Sequence, residues 1–170
     1  MTARLRRSRL RYVMWTLLIA APVAVLVAGQ LGLFNGEKPQ DLGLTDNRLK
    51  PPSHTRNSVS SQTSLYPEHP QTAYASIDAL PWREGGAVAS MQALVRALEI
   101  QPGITIVEQT PDYVYAQAHT RWLGFVDDLE FWLNPFAQVI EIRSASRLGQ
   151  EDMGTNRQRI EAIRAVYLER

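Results

Sequence analysis

Residues 125–146, FVDDLEFWLNPFAQVIEIRSAS, decide the fold, because they contain two strand patterns joined by a turn. Apolar and polar side chains alternate over 125–133 and again over 139–146, with the period of two that is typical of half-buried strands. Asn134 and Pro135 begin the turn between the two segments. The stretch therefore predicts an antiparallel hairpin that buries one of its two faces.

Four more segments carry secondary-structure patterns. Apolar residues recur at helical spacing in the first and last of them, and the middle two are typical of strands: 86–100, 104–108, 113–122 and 156–169. We expect Asn156 to cap the last helix. The order of helix, four strands and helix predicts an α+β fold, a small antiparallel sheet of about four or five strands packed with two main helices.

The N-terminal 34 residues form a different kind of segment. Residues 1–11 contain five arginines and no acidic residue, and 12–34 run for 23 residues without a charge. Because about 20 apolar residues cross the hydrocarbon core, residues 12–34 predict a transmembrane helix. The arginine excess predicts a cytoplasmic N-terminus, which places the rest of the chain in the periplasm, at a bacterial inner membrane. A signal peptide cleaved after Gly29 is the alternative, but we favour an uncleaved, single-pass anchor because signal cores span only about 7–15 residues.

The composition of the exported part of the chain separates a linker from a globular domain and disfavours one class of function. Residues 35–75 are rich in Pro, Ser, Thr, Asn and Gln, which predicts a linker and extended segment that either reaches away from the membrane or wraps around the globular domain of 76–170. Removing the five N-terminal arginines from the 18 basic side chains leaves 13 against 17 acidic ones, a net charge of −4 that disfavours nucleic-acid binding. The chain has no cysteine and three scattered histidines, so neither a metal site nor a cofactor is expected.

Two carboxylates of the hairpin, Asp128 and Glu130, share the face opposite the apolar one. Such a pair is able to do acid–base work or bind a hard cation. If Phe131 and Ile140 share the buried face, the paired positions of the hairpin sum to an odd number, and Arg143 lies opposite one of the two carboxylates. We therefore favour a cross-strand ion pair on a solvated face, worth about 0.2–1 kcal/mol.

Asp127 is harder to explain, because strand alternation places it on the apolar face. A carboxylate there costs several kcal/mol unless it is paired or hydrogen-bonded. A bulge in the strand, or a partner such as Arg147 or a backbone N–H, would remove that cost. We favour an edge position that is open to water.

A second polar cluster follows the last strand, where the chain passes through a loop into the final helix. A helix N-terminus with serine and arginine side chains near it is a natural anion site, but no phosphate-loop motif is present. We favour a polar connection in which Asp152 and Asn156 organise the turn and the cap, while Arg157 or Arg159 pairs with acidic residues nearby. The members of this cluster that we single out are Arg143, Ser144, Ser146, Arg147, Asp152, Asn156 and Arg157.

Several stretches resemble a known family. LGLTDNRLKP, NSVSSQ, GFVDDLEFWL and RSASRLGQEDMGTNRQRIEAI, all within about 42–165, are similar to the bacterial and plant proteins grouped as domain of unknown function 1499. That family brings no established activity with it. The resemblance implies that a function shared across the family uses the matching positions, which are Asp127, Asp128, Glu130, Arg143, Ser144, Ser146, Arg147, Gly149, Asp152, Asn156 and Arg157.

The chain departs from the family pattern at two cysteines. Relatives commonly carry them in a segment like L-x-P-C-P-x-S-P-N-C-V-S-S, where this chain reads LKPPSHTRNSVSS, with Pro52 and Ser58 at those positions. Joint loss is expected if the pair forms a disulfide or shares a ligand in the relatives. A function that depends on those thiols does not extend to this chain.

Three functions remain open. The favoured one is a non-catalytic binding or accessory module, anchored in the membrane, that serves a membrane-protein complex or an envelope component. The first alternative is a curved sheet that holds an apolar, lipid-like ligand beneath the last helix. The second is an enzyme that uses Asp127 or Asp128 with Arg143 and Arg147, although we find no nucleophile with an evident base and assign no catalytic residue.

Overall fold

The computed structural model describes the backbone of residues 2–169 and the side chains of residues 11–169. The arginines of the basic tail before residue 11 therefore lie outside the described side chains. A single 3₁₀ turn covers Thr63–Leu65. The helices and strands, in chain order, are α1 (Thr2–Gln30), β1 (Ser58–Ser60), α2 (Thr72–Ala75), β2 (Leu80–Pro81), α3 (Gly86–Glu99), β3 (Ile104–Gln109), β4 (Tyr113–His119), β5 (Val126–Asn134), β6 (Val139–Ser146) and α4 (Thr155–Leu168).

The six strands of the described chain form one antiparallel sheet. Its order is β1-β6-β5-β4-β3, and β2 also pairs with β6. The predicted hairpin of β5 and β6 stands at the centre, with Glu130 opposite Arg143, so its register is the one expected from the buried face. The predicted α+β class is confirmed. The sheet also contains β1 and β2, which were not predicted because they are too short to show a period-two pattern in the sequence.

One face of the sheet packs against α3 and α4 and forms the main core. Alternating side chains of β4, β5 and β6 meet the apolar stripes of the two helices. Fully buried members of this core include Leu94, Leu98, Val114, Leu129, Phe131, Ile142, Ile160, Ile163 and Tyr167. Burial of one such side chain stabilises the fold by about 1.5–3 kcal/mol, which explains why the helical and strand periods are so clear here.

The opposite face of the sheet is covered by residues 37–54, which precede β1. Leu49 is buried against Tyr113, Tyr115 and Trp132, and these four form a second, smaller apolar cluster. Backbone groups of the covering segment reach the sheet as well, since the Gly43 N–H donates to Glu130 Oε1 over 2.7 Å. Of the two arrangements open to the Pro- and Ser-rich segment, the structure shows the one that wraps around the sheet.

Two predictions about where elements end or begin are wrong. The strand expected over 113–122 ends at His119, and Trp122 lies in the loop between β4 and β5. Asn156 is not the cap of α4, because the N-cap position is Gly154, whose φ of 81° is in the left-handed region that glycine tolerates. The capping contacts come instead from Asp152, whose carboxylate accepts the N–H groups of Gly154 and Asn156.

α1 contains the segment predicted to cross a membrane. Residues Arg11–Gln30 form a 20-residue stretch with a mean hydropathy of 2.0, and in the described part of the chain this is the one helix long and apolar enough to span a bilayer. Pro22 lies inside the helix without ending it. The far end of α1 contacts the loop between β4 and β5.

Candidate functional site

The covered face of the sheet holds two ion pairs that are nearly sealed from water. Arg143 Nη1 lies 3.3 Å from Glu130 Oε2, and their side chains are 4% and 0% exposed. Glu130 also accepts the Tyr113 hydroxyl, at 2.9 Å, and Arg143 Nε donates to the carbonyl of Pro51. Burial, reinforced by the neighbouring Glu130 carboxylate, raises the pKa of the Tyr113 phenol far above its usual value, so the hydroxyl remains a donor.

The second ion pair joins Asp128 to Arg147. Arg147 Nη2 and Nε lie 2.7 and 2.9 Å from the two carboxylate oxygens of Asp128, a bidentate geometry of charge-assisted hydrogen bonds. Tyr115 donates to Asp128 at 2.6 Å, and burial followed by this hydrogen bond raises the pKa of its phenol. The hydrogen bonds from Arg147 to Asp128 also raise the pKa of the guanidinium.

The expectation of a solvated face for Asp128 and Glu130 is therefore wrong. Both carboxylates are at most 1% exposed, because residues 37–54 lie over them. The expected cross-strand partner is nevertheless the right one for Glu130, which stands directly opposite Arg143. The covering segment has few apolar residues, so its packing on the sheet leaves no hydrophobic pattern that would predict the burial.

Asp127 lies on the other face of the sheet and is not open to water, contrary to the expectation. It is 3% exposed, and its Oδ2 lies 2.6 Å from Arg159 Nη2 of α4. Arg147, the partner that the sequence suggested, is committed to Asp128 on the opposite face. The prediction that Arg157 or Arg159 pairs with a nearby acid is confirmed for Arg159, whereas Arg157 donates to the carbonyl of Tyr74.

Asn156 is the centre of a buried hydrogen-bond network at the start of α4. Its side chain is fully buried, and its amide nitrogen donates to the Asn57 carbonyl, to Ser146 Oγ and to Asp152. Its amide oxygen accepts from Ser144 and from Arg159. The network joins β1, β6 and α4, which explains structurally why serine, aspartate and asparagine recur in this stretch.

Asp152 holds this network from the loop. Burial alone raises the pKa of its carboxyl, but hydrogen bonds from the Tyr74 hydroxyl and from the backbone and side chain of Asn156 outweigh burial and lower the pKa below the usual value. The sequence singled out Asp152 and Asn156 correctly as organisers of the turn. Tyr74, in the short helix α2, was not predicted to take part.

A cleft of about 350 Å³ opens between the covering segment and the end of β6. Ala145 lies between the two ion-paired arginines on the same face of β6, and its small side chain leaves room there. The walls come from Arg143, Arg147 and Asp128 on the sheet and from a proline-rich stretch of the covering segment. The wall residues outside the sheet are Glu37, Pro39, Lys50, Pro51, Pro52, Ser53 and His54 of the covering segment, together with His69.

The cleft contains nitrogen donors that the hydrogen bonds within the domain do not use. The hydrogen bonds of Arg143 use Nε and Nη1, and those of Arg147 use Nε and Nη2, so one terminal nitrogen of each guanidinium is not used by them. His69 Nδ1 accepts the Gln71 N–H, which leaves Nε2 as a donor. Both oxygens of Asp128 already accept hydrogen bonds from Arg147. The cleft thus offers donors to an oxygen-rich ligand.

His54, His69 and Lys50 were not predicted as site residues. The two imidazole rings lie 5.0 Å apart although fourteen residues separate them in the chain. The resemblance at LKPPSHTRNSVSS was the only signal that pointed to this segment. Within residues 11–169, no three His, Asp or Glu side chains gather as metal ligands would.

The polar residues singled out in the sequence therefore fall into two groups on opposite faces of the sheet. Asp128, Glu130, Arg143 and Arg147 belong to the covered face and its cleft, and the remaining ones belong to the network at α4, namely Asp127, Ser144, Ser146, Asp152, Asn156 and Arg157. An enzyme that combines Asp127 with Arg143 and Arg147 requires convergence in one cleft, and the sheet separates them.

Fold and site together define an α+β domain behind an apolar N-terminal helix, with buried ion pairs beneath a covering segment. The chain belongs to the family described as protein of unknown function DUF1499, whose family model matches residues 48–166. The matched range includes the hairpin, the cleft arginines and the network around Asn156. No curated protein matches the chain, and no solved structure does.

Proposed function

We propose that the protein is a membrane-anchored, non-catalytic binding module whose cleft between Arg143 and Arg147 receives a compact oxyanion of an envelope component or of a partner in a membrane complex. The observation that supports this proposal is the pair of nearly buried guanidinium groups on either side of Ala145, each with donors that the internal ion pairs do not use. Arginine is suited to phosphate and carboxylate because its planar fork matches their geometry.

The balance of charge in the cleft sets the expected strength of ligand binding. Asp128 and Glu130 already compensate the two arginines, so the free cleft is close to neutral and stable without a ligand. Binding therefore depends on hydrogen bonds from oriented donors rather than on a large net charge, and we expect selectivity for oxyanions over chloride. Anchoring near a membrane raises the effective concentration of the module for partners in that membrane.

The packing of α4 argues against the apolar-ligand alternative. Ile160, Ile163 and Tyr167 are fully buried between this helix and the sheet. The space that a lipid-like molecule would need beneath α4 is occupied by these side chains.

Thermal unfolding of the full chain in detergent micelles tests the proposal. Inorganic phosphate and acetate are the two probes, and chloride at matched ionic strength is the reference. A ligand at 100 times its Kd stabilises the folded state by about 2.7 kcal/mol. We expect phosphate or acetate to raise the Tm beyond the effect of chloride, and the responding probe distinguishes a phosphate-bearing from a carboxylate-bearing partner.

Ala145→Leu is the decisive variant, because the larger side chain would fill the space between the two arginines. Its matched control is Ala137→Leu, at an exposed position in the β5–β6 turn. The shift in Tm should vanish in A145L and persist in A137L. A double variant K50A/H69A provides a second measurement that leaves the buried ion pairs intact and should weaken the shift. Equal shifts in wild type, A145L and K50A/H69A, or none with either probe, would overturn the proposal.

A further inference from the structure

The far end of α1 is joined to the β4–β5 loop by close backbone packing. A Cβ atom at Gly29 would lie 2.5 Å from the Leu123 carbonyl oxygen, and one at Gly124 would lie 2.6 Å from the Gly29 carbonyl oxygen. Both glycines are thus needed for the approach. Gln30 Nε2 adds hydrogen bonds to the carbonyls of Arg121 and Trp122, at 3.2 and 3.0 Å.

A second contact continues this joint, the packing of α1 on the β4–β5 loop, beyond the end of the helix. The rings of Phe34 and Phe125 stack with their centroids 5.5 Å apart. A Cβ atom at Gly36 would lie 2.8 Å from Arg147 Cβ, so the chain remains against the sheet after α1 ends. The globular domain therefore begins directly at the end of the apolar helix, with no free linker between them.

This joint fixes the depth of the loop relative to a bilayer. The apolar stretch Arg11–Gln30 has 20 residues, and at 1.5 Å per residue it matches a hydrocarbon core of about 30 Å. Gln30 then lies at the boundary between hydrocarbon and headgroups. Arg121 and Trp122, whose carbonyls bind Gln30, lie at that same level.

The side chains of the β4–β5 loop are of types that occur at the headgroup level of a bilayer. Trp122 is 65% exposed, and the Arg121 guanidinium lies 5.1 Å from the centre of its ring. Tryptophan is enriched at headgroup level, and arginine is attracted to anionic lipid surfaces. Leu31 and Leu33, which follow the helix, are 74% and 67% exposed and lie beside the same boundary.

We infer that the β4–β5 loop, residues 120–125, is a lipid-contact surface that holds the domain against an anionic bilayer in one orientation, with Trp122 and Arg121 in the headgroup layer. The inference rests on the proposed anchoring by α1. It also favours retention of the helix, because cleavage after Gly29 would separate the loop from the helix that binds it.

The absence of cysteine from the chain allows a single spin label to report depth. Arg121→Cys places the label on the loop, and Ala137→Cys places it in the exposed β5–β6 turn, at the other end of β5. The full chain is reconstituted in phosphatidylethanolamine–phosphatidylglycerol vesicles. We expect the label at 121 to collide several-fold less with a water-soluble nickel complex, and more with oxygen, than the label at 137.

Two further variants test the joint itself. In Gly29→Leu the added side chain clashes with Leu123, whereas Ala24→Leu alters an exposed, lipid-facing position of the same helix. Protection of the label at 121 should be lost in G29L and retained in A24L. Equal accessibility at 121 and 137, in protein that floats with the vesicles and resists carbonate extraction, would overturn the inference. Protein that carbonate extracts would instead overturn the anchoring on which the inference rests.

Discussion

Asp128 and Arg147 form an ion pair whose energetic weight depends on its burial. An exposed pair contributes about 0–1 kcal/mol, whereas removing one partner of a buried pair costs about 3–5 kcal/mol, because the other charge is left without compensation. The chain contains both kinds. Asp41 and Lys50 form an exposed pair on the covering segment, with 67% of the Asp41 side chain exposed.

Asp128→Asn should therefore lower the free energy of unfolding by about 3–5 kcal/mol. Asp41→Asn should change it by less than about 1 kcal/mol, since water screens that pair. Urea denaturation of the full chain in detergent measures both. Similar losses in the two variants would show that residues 37–54 do not shield Asp128 as the structure indicates.

Asp152 makes the stability of the domain depend on pH. Its pKa is lowered in the folded state relative to about 3.9 in an unfolded chain. A carboxyl group of this kind contributes stability above its unfolded pKa, and the contribution is lost as the pH falls through the folded pKa.

The difference in unfolding free energy between wild type and Asp152→Asn should accordingly be largest near neutral pH and shrink below about pH 4. Urea denaturation at a series of pH values measures that difference. Asp78→Asn, at an exposed carboxyl whose backbone carbonyl accepts from Arg164, is the matched control for the loss of one surface carboxylate. A difference for D152N that does not change with pH would contradict the prediction.

Among the elements, the β5–β6 hairpin could be predicted from the sequence, whereas the groups that pack against it could not. Alternation placed Phe131 and Ile140 on one face, and the register that puts Arg143 opposite Glu130 followed from it. The partner of Asp127 could not be derived, because Arg159 comes from a helix 32 positions further along the chain. Patterning reports which face of an element is apolar, but not which distant polar group will pair with a charge on that face.

The loop between Pro52 and Ser58 connects the covering segment to β1. The Ser53 N–H donates to Ser58 Oγ at 2.8 Å, so the two positions that carry cysteines in relatives lie close together here. The resemblance implies a cysteine pair at these two positions in relatives, and their proximity here fits such a pair. Ser58 itself is 0% exposed.

The double variant P52C/S58C should consequently form a disulfide under oxidising conditions. Closing a loop of this length stabilises the folded state by about 2 kcal/mol in the chain-entropy estimate. The midpoint of urea denaturation, compared between oxidised and reduced protein, measures the gain. The single variants P52C and S58C serve as controls without a closed loop. Free thiols that persist in the oxidised double variant would contradict the predicted proximity.

Across the whole molecule, the two faces of the sheet depend on each other. The main core needs α3 and α4, while the ion pairs on the opposite face are tolerable only when their charges are matched and hydrogen-bonded. The covering segment supplies part of that hydrogen bonding through the Gly43 N–H and the Pro51 carbonyl. Loss of the covering segment would therefore expose the ion-paired face of the sheet to water and destabilise the central strands.

The covering segment and the sheet should thus unfold in one transition, and Leu49→Ala tests this coupling. Leu49 is 1% exposed within the cluster of Tyr113, Tyr115 and Trp132, so its truncation should cost about 2–5 kcal/mol. Leu44→Ala, at a side chain of the same segment that is 38% exposed, should cost within about 0.5 kcal/mol. Urea denaturation followed by tryptophan fluorescence and by circular dichroism should give coincident transitions in wild type and in both variants. A separate early transition would mean that the covering segment unfolds before the sheet and that the sheet is stable without it.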